Sequence, residues 1–365
     1  MKKHRLVVLI AGGCMIVLLL SLFIFWSWPD QYLHIVACDV GQGDAILLSQ
    51  GFTQVLVDAG RDEQYVLRCL RNQLPFWDRQ IEWIVPTHLD ADHIGGFPAI
   101  LDRFKVLHIL LPRDTKETTD FERFEKAVLR EQQTGGVVEV AQMGASINAH
   151  DAWKLKVLYA PIDTSASQFI ESQSKTEHTL WDKNMFSELN PADSNNRSTV
   201  LSLQYDQVSL LLIGDLEKPV EQALIKAGVV TSHTILKVGH HGSKSSSSEE
   251  FIKKVLPEVV LISVGKNNRY GHPSPVVLDR LIENGASSLL RTDELGTVVL
   301  KSDGQKVWLV SNGAFDNTAQ LRSFADRFGC AGGMSHATTV LSIAIPNRIN
   351  KRWEHNFEYN LYKEL

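Results

Sequence analysis

Charge disappears from the chain between residues 6 and 28, a run of Leu, Val, Ile, Phe and Trp that follows the basic start Met1-Lys2-Lys3-His4-Arg5. A helix needs about 20 such residues to cross a bilayer. Trp26 and Trp28 suit the interface where the span ends, and Pro29-Asp30 stops the helix. The cationic start favours an N-terminus inside, with the rest of the chain outside the cytoplasm. No small-x-small cleavage site follows the run, and Ala11-Gly12-Gly13-Cys14 has too little apolar sequence before it for a lipoprotein signal. An uncleaved membrane anchor over residues 1–29 is therefore expected.

Beyond the anchor the pattern changes to short apolar runs separated by Gly-containing turns. Residues 33–38, 45–49 and 53–58 read as strands and 65–74 as a helix. Residues 81–86 read as a buried strand, with a helix near 96–104, a strand at 106–111, a charged amphipathic helix at 121–132 and a strand at 154–159. A polar segment, 161–195, interrupts the rhythm, and unstructured loops of that length are usually functional or mobile. Strands resume at 199–205 and 208–213, followed by a helix at 219–227 and a strand at 234–238. A helix near 248–255, a strand at 259–264, a helix at 276–284 and strands at 297–301 and 306–310 complete the series. Two successive strand-rich halves predict an α+β domain over residues 30–313, with two sheets face to face and helices outside. From about residue 314 the rhythm stops, and 314–365 reads as an extension without an assigned role.

Apolar residues make up 44% of the 365 and charged residues 22%, enough for a large core. The net charge of −5 excludes nucleic-acid binding by bulk positive charge. Of the four cysteines, Cys38 and Cys69 fall in apolar elements and read as core. Their spacing fits neither a disulfide framework nor a zinc ribbon, and whether any two pair stays open.

The chemistry concentrates in Thr87-His88-Leu89-Asp90-Ala91-Asp92-His93-Ile94-Gly95-Gly96, where four potential ligands lie between a buried strand and a helix. A solvated turn has no need of two His and two Asp in six positions. Imidazole with carboxylate suits zinc, manganese or iron. Three later segments add candidates: Ile213-Gly214-Asp215 at a strand end, Gly239-His240-His241-Gly242-Ser243 after another strand, and Tyr270-Gly271-His272-Pro273. Each has a plainer account, since Asp215 can cap a helix and His272 can be a satisfied loop residue. Lys237, Lys244, Lys266, Arg269 and Arg291 gather in these loops and read as a basic rim for phosphates, or as ordinary solvated surface.

In this order the segments resemble the metallo-β-lactamase superfamily, and more narrowly the extracytoplasmic hydrolase domain of the ComEC family of DNA-uptake proteins. The resemblance also rests on Asp39-Val40-Gly41-Gln42-Gly43-Asp44-Ala45, Val57-Asp58-Ala59-Gly60, Asn195-Asn196-Arg197-Ser198 and Arg291-Thr292-Asp293. It implies a four-layer αββα sandwich behind one N-terminal transmembrane helix, with two divalent ions, Mn or Zn, Mg being a further candidate. His88 and Asp90 would serve one ion, Asp92 and His93 the other, with Asp215 between them. His240 is the preferred later ligand, and His241 a second ligand or a substrate contact. Catalytic roles are expected for Asp92, His241 and His272, and substrate contacts for Asn196, Ser198, Ser243, Lys244, Arg269 and Arg291. Asp90 stands where the superfamily has a second His, which hardens the site towards manganese or magnesium. Asp39, Asp44 and Asp58 are expected to bond loop amides or orient ligands.

The expected function is a membrane-anchored nuclease or phosphodiesterase acting on DNA outside the cytoplasm. A hydrolase of a small-molecule or cell-envelope ester, lactone or lactam is the alternative. One helix does not make a DNA channel, so transport is not expected, and no protein partner follows from the sequence.

Overall fold

Strands here are apolar on both sides, and a strand's side chains alternate, so each strand needs cover on two faces. On β1 (Leu33–Ala37), Leu33, Ile35 and Ala37 belong to one buried cluster and Val36 to another. β2 (Ile46–Gln50) divides Ile46 and Leu48 from Leu47 in the same way. The computed structural model describes residues 2–147, 151–161, 194–310 and 340–343. Most of the expected polar segment and most of 314–365 lie outside the described residues.

Among these, β1 and β2 continue into β3 (Thr53–Val57), β4 (Gln80–Val85), β5 (Lys105–Leu111) and β6 (Val137–Val140). The second sheet holds β7 (Ser146–Ile147), β8 (Lys154–Tyr159), β9 (Val200–Tyr205), β10 (Val208–Leu212), β11 (Ile235–Lys237), β12 (Val259–Ile262) and β13 (Ser288–Arg291). The chain then returns to the first sheet with β14 (Val298–Ser302), β15 (Val307–Val310) and β16 (Val340–Ile343). The sheet orders are β16-β15-β14-β1-β2-β3-β4-β5-β6 and β13-β12-β11-β10-β9-β8-β7. β1 therefore lies between β2 and β14, both antiparallel to it.

The facing surfaces of the two sheets form a single core, in which Ile35, Leu48 and Val55 meet Leu203, Leu210, Leu261 and Leu290. On the far side of the first sheet lie α2 (Glu63–Gln73), α4 (Phe97–Leu101) and α5 (Thr119–Gln133), bringing Val66, Leu70, Phe97, Phe124 and Val128. On the far side of the second lie α6 (Lys218–Lys226), α7 (Glu249–Val255) and α8 (Pro275–Glu283), which bury Val220, Leu224, Phe251, Val277 and Leu281. The result is the expected αββα sandwich. Asp62, Thr118 and Ser248 cap α2, α5 and α7 through their side chains. Cys38 and Cys69 form a disulfide between the end of β1 and α2, which decides the pairing that spacing left open.

α1 (Lys2–Trp26) is a 25-residue helix whose described side chains, from Leu9 to Phe25, are exposed and largely apolar. Among the described residues no helix is long and apolar enough to cross a membrane. The anchor expected from the sequence also uses residues 6–8, whose side chains are outside those described. Trp28, Phe52 and Trp77 pack together where α1 meets the domain.

The strands expected from the sequence are present with shifts of one to a few residues at their ends. β6, β7, β13 and β16 were not anticipated: β7 is two residues long, β6 and β13 are four-residue runs with little alternation to read, and β16 pairs with β15 from within the stretch read as an extension.

Candidate metal centre

Loops leaving neighbouring strand ends of both sheets converge on one point. Asp58 follows β3, and Thr87 and His88 follow β4. Asp92 and His93 lie on the single turn α3 (Ala91–Ile94). From the second sheet, Asp215 follows β10, and His240 and His241 lie on the 3-10 turn Gly239–Gly242 after β11. Two glycines allow the close approach. A Cβ on Gly43 (φ +128°) would fall 2.1 Å from the Asp92 carbonyl oxygen, and one on Gly214 (φ +51°) would fall 2.8 Å from the Ser198 side chain.

The inner group is His93, Asp215, His241 and Asp92. Asp215 Oδ2 lies 3.3 Å from His93 Nε2 and 3.3 Å from His241 Nε2, and Asp92 Oδ2 lies 3.6 Å from His241 Nε2. Each imidazole is held from behind. His93 Nδ1 is 2.9 Å from Asp58 Oδ2. Asp58 in turn accepts from the Thr87 N–H at 2.7 Å and the Thr87 hydroxyl at 2.8 Å. His241 Nδ1 is 3.0 Å from the Ser263 carbonyl and 3.3 Å from Asp44 Oδ1. This is the arrangement that fixes a ligating His by its second nitrogen.

His88 reaches the same point with a defined tautomer. The Thr87 hydroxyl proton goes to Asp58 and the Ser198 hydroxyl proton to the Asn195 carbonyl. His88 Nδ1, 3.1 Å and 3.3 Å from these two oxygens, must therefore supply the hydrogen. Burial, followed by the charge of His93, pushes the His88 imidazole down to about 3, so it is neutral with its lone pair on Nε2.

Burial opposes ionisation of Asp215, yet the charges of His241 and His93 hold its carboxyl well below the usual carboxylate range. Burial likewise opposes the charged forms of His93 and His241. The carboxylates around them outweigh it and raise both well above the usual histidine range. Burial pushes the Asp58 carboxyl up.

The site also uses backbone conformations that side chains rarely adopt. His240 (φ 45°), His241 (φ 52°) and Asp58 (φ 59°) are left-handed, at a cost of about 1–2 kcal/mol each. Such strain persists where surrounding contacts over-determine it, and it gathers at functional sites.

Several expected roles move. His241, not His240, points into the cluster: His240 is half-buried, with Nδ1 3.2 Å from Glu217 Oε1 and 3.4 Å from Asn195 Nδ2. Consecutive residues on a tight turn diverge, and the sequence could not say which one faces inward. Asp90, expected as a ligand, forms an ion pair with Lys116 and lies 4.0 Å from His88 Nε2. Ser198 is buried and spends its hydroxyl within the centre, accepting from the Asp215 N–H at 3.0 Å, so it is not available to substrate. Arg291 is engaged by Asp293 and Glu294, which removes it from the basic rim. Lys237 leaves the rim too, because it is buried 2.6 Å from Asp44 Oδ2. Ser243 is buried with its hydroxyl 2.8 Å from Ser245 Oγ, and Asn196 accepts from the Glu217 N–H at 3.2 Å. Lys244 and Arg269 are exposed in the loops expected. His272 lies beside His240, ring centroids 5.7 Å apart, and stacks on Tyr270. Lys116 and Glu217 are additions that carried no signal in the sequence.

A metal-binding geometry follows from the unsatisfied atoms. Buried His88 Nε2, His93 Nε2, His241 Nε2 and Asp215 Oδ1 have no hydrogen-bond partner among the described residues, a costly condition unless something binds them. Among the described residues, donor triads within 4.8 Å include His88–His93–Asp215, Asp92–His93–His241 and Asp44–Asp215–His241.

Residues 38–266 match the family model described as metallo-beta-lactamase superfamily, a stretch that holds every member of this cluster. The chain belongs to the metallo-β-lactamase superfamily. Members of this superfamily are metal-dependent hydrolases, and the residues present fit a divalent ion. ComE operon protein 3 of Bacillus subtilis (strain 168) is 30% identical over 315 residues, 81% of this chain and 36% of that protein. Competence protein ComA of Neisseria gonorrhoeae is 27% identical over 291 residues, 77% of this chain and 34% of that protein. The resemblance to ComEC-type proteins is thus shown, although the chain spans only about a third of the length of these curated relatives. Among solved structures, the metallo-beta-lactamase fold protein YhfI from Bacillus subtilis aligns with a TM-score of 0.46 and 11% identity, over 74% of this chain and 100% of that one. His272, Arg269 and Arg291 fall outside the stretch matched by the superfamily model.

Proposed function

We propose that this metallo-β-lactamase-fold hydrolase is a metal-dependent phosphodiesterase that cuts DNA, held to a membrane by α1 with its catalytic domain outside the cytoplasm. The observation that carries the chemistry is the convergence of His93 Nε2, His241 Nε2 and the Asp215 and Asp92 carboxylates on one buried point. A divalent ion bound there, manganese or zinc with magnesium a further candidate, supplies Lewis acidity and activates water. The chain's own groups provide the rest. Asp58 and Asp44 fix the two imidazoles, and Ser198 anchors the backbone of Asp215. Asp92 is kept ionised, its burial outweighed by the contact with His241. His272 is pushed down by burial and by the charges of His240 and His241, which favours the neutral imidazole and suits it to accept a proton from an attacking water.

The DNA preference is supported by the likeness to ComE operon protein 3 and to Competence protein ComA. Exposed Lys244, Lys266 and Arg269 in the loops beside His241 and His272 add charge for phosphates. Anchoring is supported by the exposed apolar length of α1. A domain outside the cytoplasm is supported by the Cys38–Cys69 disulfide, since such bonds persist in oxidising compartments.

The test uses full-length protein in detergent with manganese, zinc or magnesium, assayed on single- and double-stranded DNA, RNA, bis-p-nitrophenyl phosphate and nitrocefin. His93→Ala and Asp215→Ala serve as controls. DNA cleavage lost in both variants is expected. Turnover confined to nitrocefin or a simple ester would instead select the small-molecule hydrolase. Alkaline extraction of membranes and protease protection test the anchor separately.

A further inference from the structure

Lys116 lies in a loop between β5 and α5, and its ammonium pairs with Asp90 while lying 3.4 Å from Ser194 Oγ. Asp90 is the residue a second metal ion would need. His88 shares a donor triad with His93 and Asp215, which leaves Asp90 as the acidic residue of the ligand loop that the inner cluster does not use. None of the donor triads among the described residues contains Asp90. The position next to His88 is further short of donors, since Ser198 and Asn195 occupy it with a hydroxyl, a carbonyl and an amide already bonded to their neighbours.

We infer that the Lys116 ammonium stands in the place of a second cation, so that the centre takes up one divalent ion per chain, held by donors from His88, Asp92, His93, Asp215 and His241. The ammonium is a fixed positive charge beside the ion, where it faces a non-bridging oxygen of an incoming phosphodiester. This role for Lys116 rests on the phosphodiesterase reading; the stoichiometry does not.

Full-length protein stripped with chelator and titrated with manganese and with zinc, with bound metal counted after desalting, tests the inference. One equivalent is expected for the wild type and for Lys116→Arg, which keeps the charge. Lys116→Met, which frees Asp90, is expected to take up a second. Asp90→Asn should weaken the wild-type ion by no more than about 10–100-fold, the effect of an outer neighbour, while Asp215→Ala abolishes its binding. Two equivalents in the wild type overturn the inference. One equivalent in Lys116→Met overturns the part assigned to Lys116. Protein that binds one ion and cuts no phosphodiester sinks the nuclease proposal and leaves the stoichiometry standing.

Discussion

Lys237 Nζ and the Asp44 carboxylate meet at 2.6 Å with both side chains out of water. Asp44 turns its other oxygen to His241 Nδ1 at 3.3 Å, so the pair lies directly behind a candidate ligand. Removing one member leaves the other charged and buried, which costs about 3–5 kcal/mol. Lys237→Met is expected to lose stability on that scale in urea unfolding and to bind metal about 10–100-fold more weakly. A variant as stable as the wild type would mean that water reaches Asp44.

His241 and His240 separate cleanly by experiment. His241→Ala removes a nitrogen 3.3 Å from Asp215 and is expected to weaken metal binding by far more than tenfold in calorimetric titration, where tenfold corresponds to about 1.4 kcal/mol. His240→Ala breaks contacts with Glu217, Asn195 and the rings of His272 and His241 but removes no atom of the donor cluster, and its metal affinity should stay near that of the wild type. The reverse pattern would restore His240 as the ligand.

Protons and metal compete for the same nitrogens. The folded values of His93 and His241 are raised. In metal-free protein these groups therefore stabilise the fold below the unfolded histidine value of about 6.5, and that contribution is lost as pH rises through the raised values. Asp215 is depressed, so its contribution is present above the unfolded carboxylate value of about 3.9 and lost as pH falls. Stripped protein should thus lose stability towards both ends, on the alkaline side as well as the acid one. Loading a divalent ion at pH 7 should release about one to two protons, measured by calorimetry in buffers of different ionisation enthalpy. Uptake without release would show the imidazoles already neutral.

The Cys38–Cys69 bond ties the end of β1 to α2, across a separation of 31 residues. Reducing it, or making Cys38→Ser with Cys69→Ser, is expected to cost about 2–4 kcal/mol and to lower the melting temperature by several degrees. Identical melting curves with and without reductant would mean that the thiols are free in the purified protein.

His272 stands apart from the donors, on the His240 side of the site. His272→Asn should lower kcat by about 10²–10⁴-fold if it passes a proton, with metal content unchanged. Intact kcat would reduce it to a wall of the cleft.

Much of this was legible because short apolar runs between Gly-containing turns mark strands buried on both faces, as with Ile35 and Val36. The ligand loop, too, packs its donors too densely for a solvated turn. What failed was whatever depends on a turn or on distant chain. The inward choice between His240 and His241 is set by two consecutive left-handed residues. The fate of Asp90 is set by Lys116, 26 positions on, and nothing local announces it. Lys237 did carry a signal, as a charge at the end of a buried strand, but charge in a motif loop was read as surface.

The pairing of β1 with β14, Leu33 against Ser302, also governs how the molecule comes into being. The first sheet lacks a middle neighbour until nearly the whole domain has been synthesised. The metal donors are split likewise, His88 and His93 arriving early, Asp215 and His241 late. Contacts this far apart in sequence form slowly, and neither half can gather the cluster alone. A hydrolase laid out in this way stays inert throughout its own synthesis and arms itself only when complete.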